Sequence, residues 1–289
     1  MNSLPLIVIT GPTASGKSAL ALKLAQEYGG EIICADSRTV YKGLDIGTAK
    51  PTAEEQRLVP HHLLDVVAPN EAFSAADFQR LAREAIQDIR ARGHIPFLVG
   101  GTGLYIDGIL YDYNFNSNTS KDKREFYETL TIEVLQALCK KRNIGLPENS
   151  KNKRYLIRWL ETNGQIEKSK HKLLDNTYVV AITTEKDILR LRIAQRAEHF
   201  LEQGVIEEAI LLADRYGWES EAMKGNIYPL VKQLTEGVFT KNELIDKFTT
   251  LDWRLVKRQV TWLKRHHEVQ WLSVEDAEVY IKVLLIVES

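Results

Sequence analysis

The sequence has little of what marks a secreted, membrane-spanning or metal-scaffolded protein. Only two of its 289 residues are cysteine, Cys34 and Cys139. They are too few and too far apart for a disulfide framework or a zinc site, and they suit a reduced, cytoplasmic setting. No apolar run approaches the roughly 20 residues needed to cross a bilayer, so no membrane is expected as a partner. No basic leader precedes a long apolar core. The short run Leu6–Ile9 ends in Gly-Pro and reads as a strand, so no signal peptide is expected. The formal net charge of -1 does not mark the whole molecule as a nucleic-acid binder. Internal repeats and low-complexity segments are absent.

What is present is ordinary for a folded domain, with 44% hydrophobic and 27% charged residues. The length suits one large α/β domain or one domain carrying an insert. Charge is uneven. From Lys121 to Lys172 there are 13 Lys and Arg against 7 Asp and Glu, a balance of +6, which leaves -7 for the remainder. That middle segment either meets something anionic or is a solvated basic surface.

The first third alternates strand-like and helix-like pieces. Leu6–Ile9 is apolar and β-branched, and a helical pattern runs from Lys17 to Tyr28, closed by Gly29-Gly30. Glu31–Ala35 is the next apolar run and ends at Asp36. Ser74 and Asp77 have the spacing of a capping box, with Phe73 and Phe78 at the positions of a hydrophobic staple. Phe78, Leu81, Ala82, Ala85, Ile86 and Ile89 then recur at helical spacing until Gly93. Ile95–Val99 is a third strand, followed by Gly100-Gly101. Strands alternating with helices predict a parallel sheet covered on both faces. After about Asp112 the pattern changes. Asn114 to Ser120 is polar and loop-like, and Lys121 to about Lys172 is helical and basic. Tyr178–Ile182 resumes the sheet, and from Asp187 onward the chain reads mostly as helices.

Gly11-Pro12-Thr13-Ala14-Ser15-Gly16-Lys17-Ser18 fits the phosphate-loop pattern G-x-x-x-x-G-K-[ST]. Glycines let backbone amides turn toward phosphate oxygens, and the following helix adds unpaired amides and the positive end of its dipole. Lys17 supplies a mobile charge, and Ser18 a hydroxyl for Mg²⁺. Strand, loop and helix together give the fold class: α/β, a P-loop NTPase-like parallel sheet flanked by helices, with a small helical insertion domain. Asp36 ends the second strand and should open onto the same edge, where such sheets bind ligands. There it would accept a proton, hold Mg²⁺, or merely cap a turn beside Ser37. Gly100-Gly101-Thr102-Gly103 at the end of the third strand would let a ligand approach the backbone, with Thr102 offering a hydroxyl. A tight strand-to-helix turn would look the same. No apolar run ending in Asp occurs at this strand, which argues against a motor- or switch-type ATPase and leaves group transfer. His61-His62 lack a third metal partner, so a loop or core role is preferred. Trp253–Arg265 interleaves aromatics with cations, which suits either a nucleic-acid backbone or an amphipathic helix with a wet basic face.

These residues resemble the bacterial tRNA dimethylallyltransferases. The resemblance runs through Gly11–Ser18, Asp36–Pro51, Pro60–Asp65, Phe73–Phe78 and Gly100–Tyr105, and resumes more weakly at Leu191–Arg196 and Lys257–Trp262. It implies transfer of a dimethylallyl group from dimethylallyl diphosphate to the exocyclic 6-amino group of the adenine next to the anticodon (position 37 of tRNA). The phosphate loop, Gly11, Pro12, Thr13, Ala14, Ser15, Gly16, Lys17 and Ser18, would hold the diphosphate with Mg²⁺, without ATP hydrolysis. Asp36 would be the general base. Thr13 would bond near the breaking bond, and Lys17 and Arg196 would neutralise the leaving group. Asp36, Ser37, Arg38, Thr39, Thr102 and Arg124 would touch the anticodon stem-loop. The implied division is a core at 1–115, a helical tRNA-facing insert at 116–175, and core completion with C-terminal helices at 176–289, acting as a monomer. The sequence departs from the family pattern at Lys151-Asn152, at Asn226-Ile227-Tyr228-Pro229, and at Asp252-Trp253, where the pattern has Thr-Arg. Rival readings are prenylation of free AMP, ADP or ATP, a small-molecule kinase using Asp36 and bound ATP, and a non-catalytic tRNA-binding relative.

Overall fold

In the computed structural model, which describes residues 4–113, 115, 121–164 and 173–287, the chain divides into two compact units. The larger comprises 1–110 and 173–289, and the smaller 111–172. The polar stretch expected as a loop at 114–120 and the end of the basic segment at 165–172 lie largely outside the described residues.

The larger unit is built on a parallel sheet of six described strands: β1 (Leu6–Thr10), β2 (Gly30–Ala35), β3 (His61–His62), β4 (Ile95–Gly100), β5 (Thr177–Ile182) and β6 (Gln270–Leu272). Their order is β3-β2-β4-β1-β5-β6, every pairing parallel. All five residues of β1 and all six of β2 are buried. That is why they read as continuous apolar runs, since a parallel sheet is covered on both faces. The two edge strands have only two and three residues, too short to carry a period-2 signal. The stretch after Asp187 is mostly helical, as expected, with the short β6 added.

The helices of this unit are α1 (Lys17–Tyr28), α2 (Ala53–Leu58), α3 (Ala75–Ala91) and α4 (Gly103–Leu110). After the smaller unit come α8 (Lys186–Glu202), α9 (Val205–Tyr216), α10 (Tyr228–Thr235), α11 (Lys241–Leu263) and α12 (Val274–Val287). One core forms where Leu20 and Leu24 of α1 and Ile281 and Leu285 of α12 meet Ile7, Ile9, Ile32 and Phe97 of the sheet. Each such side chain contributes on the order of 1.5–3 kcal/mol when fully buried. A second core gathers Ile193 and Phe200 of α8, Val205 and Ala209 of α9, Tyr228 of α10 and Phe248 of α11. Helix α3 starts as its sequence predicts, with Ser74 and Asp77 closing a capping box. Phe78 stacks on Tyr105 at 4.2 Å between ring centroids, and Phe73 meets the same ring edge-on at 6.3 Å.

The smaller unit holds α5 (Lys121–Thr129), α6 (Ile132–Lys141) and α7 (Lys153–Glu161) around Tyr127, Leu135, Cys139, Leu156 and Leu160. Asn152 caps α7 by accepting from the Arg154 amide at 3.0 Å.

Sheet register positions the site. Thr10 and Ala35 both pair with Gly100, so β1, β2 and β4 end level. The residues that follow, Gly11, Asp36 and Gly101, therefore emerge side by side. A Cβ on Gly100 would lie 2.1 Å from the Ala35 carbonyl oxygen, so only glycine lets these strand ends close up.

Candidate active site at the carboxyl edge of the sheet

The loop after β1 turns sharply. Gly11 has φ +144°, Ala14 φ +62° and Gly16 φ +92°. The alanine sits in left-handed space at a cost of roughly 1–2 kcal/mol, strain of the kind that collects at functional sites. Gly16 caps α1 without a side-chain hydrogen bond, so the first-turn amides face outward and are free for an anion. The Ser15 hydroxyl is buried without a partner among the described residues. The Lys17 ammonium donates to the Pro12 carbonyl at 3.1 Å. Burial lowers its pKa from 10.5 to about 8; the nearby Asp36 carboxylate opposes this and Arg196 adds to it. Ser18 lies in the first turn of α1 and is exposed.

Asp36 follows β2 and accepts the Arg38 amide at 2.8 Å with one oxygen. It is thus a turn cap and, with its other oxygen, a carboxylate turned loose in the same cavity as Thr13 and Lys17. Thr102 accepts the Ser37 amide at 3.1 Å, which leaves its hydroxyl proton for a ligand. The Arg38 guanidinium donates to the Glu221 carbonyl at 2.8 Å, and the Thr39 hydroxyl is buried without a described partner.

Helix α8 brings Arg196 to the loop, where Nη1 donates to Thr13 Oγ1 and Nη2 to the Thr48 carbonyl at 3.3 Å. Thr13, Lys17, Asp36, Ser37, Arg38, Thr102 and Arg196 all line one cavity of about 410 Å³. Arg124 belongs to the smaller unit, on α5, where it pairs with Glu161 at 3.3 Å and Glu128 at 3.4 Å.

Helix α11 supplies residues to which the sequence analysis gave no role at the site. Asp252, Leu255, Arg258, Gln259 and Trp262 line the same cavity at one-turn spacing. Gln259 bridges two strand ends, accepting from the Thr13 amide at 2.9 Å and donating to the Gly101 carbonyl at 3.1 Å. Trp262 Nε1 donates to the buried Asp107 carboxylate at 2.7 Å. A Cβ on Gly101 would lie 2.3 Å from Gln259 Nε2, and one on Gly103 would lie 2.4 Å from Trp262 Cδ1. The glycines expected to admit a ligand thus make room for α11. The opposite face of α11 carries exposed Arg254 and Lys257, and exposed Lys264 and Arg265 follow its end, so the helix is amphipathic with a basic outer face.

The paired histidines lie on edge strand β3. His62 Nε2 is 2.6 Å from Glu31, a buried carboxylate that also takes Arg92 at 2.7 Å and His94 at 2.6 Å. Among the described residues no group of three His, Cys, Asp or Glu could hold a metal ion. The hard oxygen donors near the loop, Ser18 Oγ and the Asp36 carboxylate, fit Mg²⁺ of the kind bound chiefly through substrate phosphates. No described helix is long and apolar enough to cross a membrane.

The family model described as IPP transferase matches residues 39–266. The tRNA dimethylallyltransferase of Anoxybacillus flavithermus is 38% identical over 95% of this chain and 92% of its own length, and that of Geobacillus thermodenitrificans is 37% identical over 95% and 92%. The crystal structure of the tRNA isopentenylpyrophosphate transferase of Bacillus halodurans superposes with a TM-score of 0.74 at 34% identity, covering 98% of this chain and 97% of that one. A eukaryotic dimethylallyltransferase captured acting on tRNA gives 0.81 at 25% identity, over 94% of this chain and 74% of that one. The sheet, its loop and the helical face opposite belong together: the chain is a member of the IPP transferase family, the family of the tRNA dimethylallyltransferases.

Proposed function

We propose that this enzyme transfers a dimethylallyl group from dimethylallyl diphosphate to the 6-amino group of the adenine next to the anticodon of tRNA. One observation carries the reading: Asp36 and the cationic groups Lys17 and Arg196 share one cavity with the phosphate loop. An exocyclic aromatic amine is a weak nucleophile, so it needs a base on its proton and a stabilised leaving group on the donor.

The steps assigned to this chain are few. The loop amides and Lys17 seat the diphosphate at the start of α1. Thr13 donates its hydroxyl near the bridging oxygen, and Arg196, already on Thr13, neutralises charge as it develops. As the amine nitrogen bonds to the allylic carbon, the carbon–oxygen bond breaks and the diphosphate leaves with the electron pair. The unbonded oxygen of Asp36 takes the proton from nitrogen. Mg²⁺, held by Ser18 and phosphate oxygens, would add charge neutralisation. Adenine must leave its stack to reach this cavity, and Thr102, Ser37, Arg38 and Thr39 line or border its approach. Arg124 contributes to the stem contact from the smaller unit.

Incubation with labelled dimethylallyl diphosphate and three acceptors tests the reading: unmodified tRNA, AMP and ATP. Label in tRNA alone is expected. Label in AMP or ATP instead would make the chain an adenylate prenyltransferase, and turnover of ATP to ADP with label in none of the acceptors would replace prenyl transfer with kinase-type chemistry.

A further inference from the structure

Asp252 stands on α11 where the resemblance expects threonine, and it is 4% exposed. Its Oδ1 accepts from the Asn226 amide nitrogen at 2.7 Å, and its Oδ2 lies 3.9 Å from Arg196 Nη1. That same Nη1 is the group on the Thr13 hydroxyl. The other terminal nitrogen reaches the Thr48 carbonyl, and the guanidinium lies over the Phe200 ring at 5.0 Å from its centroid. Arg196 is therefore held on several sides, while its buried Nε donor meets no acceptor among the described residues. A phosphate oxygen is an acceptor that suits such a donor.

An unpaired buried carboxylate is costly, so Asp252 has a reason to be there only with its cation. Burial pushes its pKa up, and Arg196 and the Asn226 amide work against that; Asp36 pushes it up further and Arg258 pulls it down. A lone arginine side chain samples many rotamers. A fixed carboxylate beside it narrows them, and the Asn226 bond fixes the carboxylate.

We propose that Asp252, anchored by Asn226, is a positioning residue that holds the Arg196 guanidinium in register with Thr13 for the departing diphosphate. This inference rests on the transferase reading above. Asp252 touches neither the reacting atoms nor the donor in this account; it acts through Arg196. A general field effect would behave differently. Removing a negative charge near an anion site strengthens anion binding whether or not Arg196 is present, whereas removing a positioning contact weakens it only while Arg196 is there.

The test is a double-mutant cycle over the intact protein, Asp252→Asn, Arg196→Ala and both together. It is read by single-turnover transfer to tRNA and, independently, by calorimetric binding of inorganic pyrophosphate with Mg²⁺. With Arg196 present, Asp252→Asn is expected to slow the transfer step about five- to tenfold and to weaken pyrophosphate binding about threefold or more. In the Arg196→Ala background the same change is expected to alter the transfer rate by less than about twofold and to leave pyrophosphate binding equal or tighter. Equal losses in both backgrounds, or equal tightening in both, overturns the proposal. If Asp252→Asn lacks a cooperative melt, Asn226→Ala takes its place in the cycle, with the same expected pattern. If the unmutated protein transfers nothing to tRNA, the transferase reading fails, and pyrophosphate binding alone still decides the coupling.

Discussion

Adding one methyl group at Gly103 tests the account of how α11 is seated. In Gly103→Ala the new Cβ would lie 2.4 Å from Trp262 Cδ1 and 2.6 Å from both Cγ and Nε1. Carbon contacts are comfortable at about 3.5–4.0 Å, so the indole must retreat by about 1 Å or more. Its Nε1 sits 2.7 Å from the Asp107 carboxylate, and Asp107 is 2% exposed. A retreat of that size breaks the bond. Overpacking costs about 1–3 kcal/mol, and loss of a hydrogen bond to a charged acceptor about 1.5–3 kcal/mol, so a total of about 3–5 kcal/mol is expected. For a protein of this size that lowers Tm by roughly 5–10 °C. Gly93→Ala is the control. Gly93 has φ +77° with nothing within 4 Å of its would-be Cβ, so it feels backbone strain alone, about 1 kcal/mol. Thermal unfolding followed by circular dichroism ranks the two. A Gly103→Ala protein at least as stable as Gly93→Ala would refute the packing argument, because Gly103 carries no positive-φ strain and only displacement of Trp262 makes its variant the less stable.

Other expectations follow from single groups. Glu31 is held at a pKa of about 2 against its usual 4.5; burial opposes this, but hydrogen bonds from Arg92, His62 and His94 and the charge of Arg92 outweigh it. Its folded pKa is depressed, so the unfolded chain binds the extra proton and stability rises with pH in that window. The contribution is complete above about pH 4.5 and is lost as pH falls toward 2; it is about 3 kcal/mol at most, since the partners are partly exposed. Glu31→Gln should flatten the acid limb of a stability-versus-pH curve, and an unchanged limb would assign acid loss elsewhere. Lys17 titrates near pH 8 when free of ligand, so pyrophosphate binding should weaken as pH rises above about 8, and Lys17→Met should abolish that dependence. A pH-independent affinity between 7 and 9.5 would remove Lys17 from the anion site. The Cys34 thiol is pushed up to about 12, by burial and then by the Asp36 charge. It should resist thiol reagents in the native protein and react on unfolding; fast native labelling of Cys34 would contradict the buried β2.

Much of the site was legible because it is local. Gly11 to Ser18 is a contiguous motif whose geometry its own residue types dictate, and Asp36 is placed by the end of one apolar run. Ser74 and Asp77 announced α3 through a four-residue pattern. The α11 contribution was not legible in that way. Gln259 meets Thr13 across 246 positions, and nothing in Lys257–Trp262 says which face of the helix turns inward until the core around Phe248 and Val256 is packed. The same distance hid one reason why Gly101 and Gly103 are glycine: side chains from α11 occupy the space a Cβ would need. Strands β3 and β6 escaped because pairing with β2 and β5 alone makes them strands. Asp252 read as a departure from a family pattern, and its meaning emerges only beside Arg196 and Asn226.

Asp36→Ala separates most directly the two jobs proposed for the site, proton removal by Asp36 and retention of the diphosphate by the loop. Donor binding should persist within about threefold, because Lys17, Arg196 and the loop amides remain. Single-turnover transfer to unmodified tRNA should fall by about 10²- to 10⁴-fold, the usual worth of a positioned general base. Transfer by Asp36→Ala at a rate near that of the unmutated protein, with donor binding intact, would contradict the account.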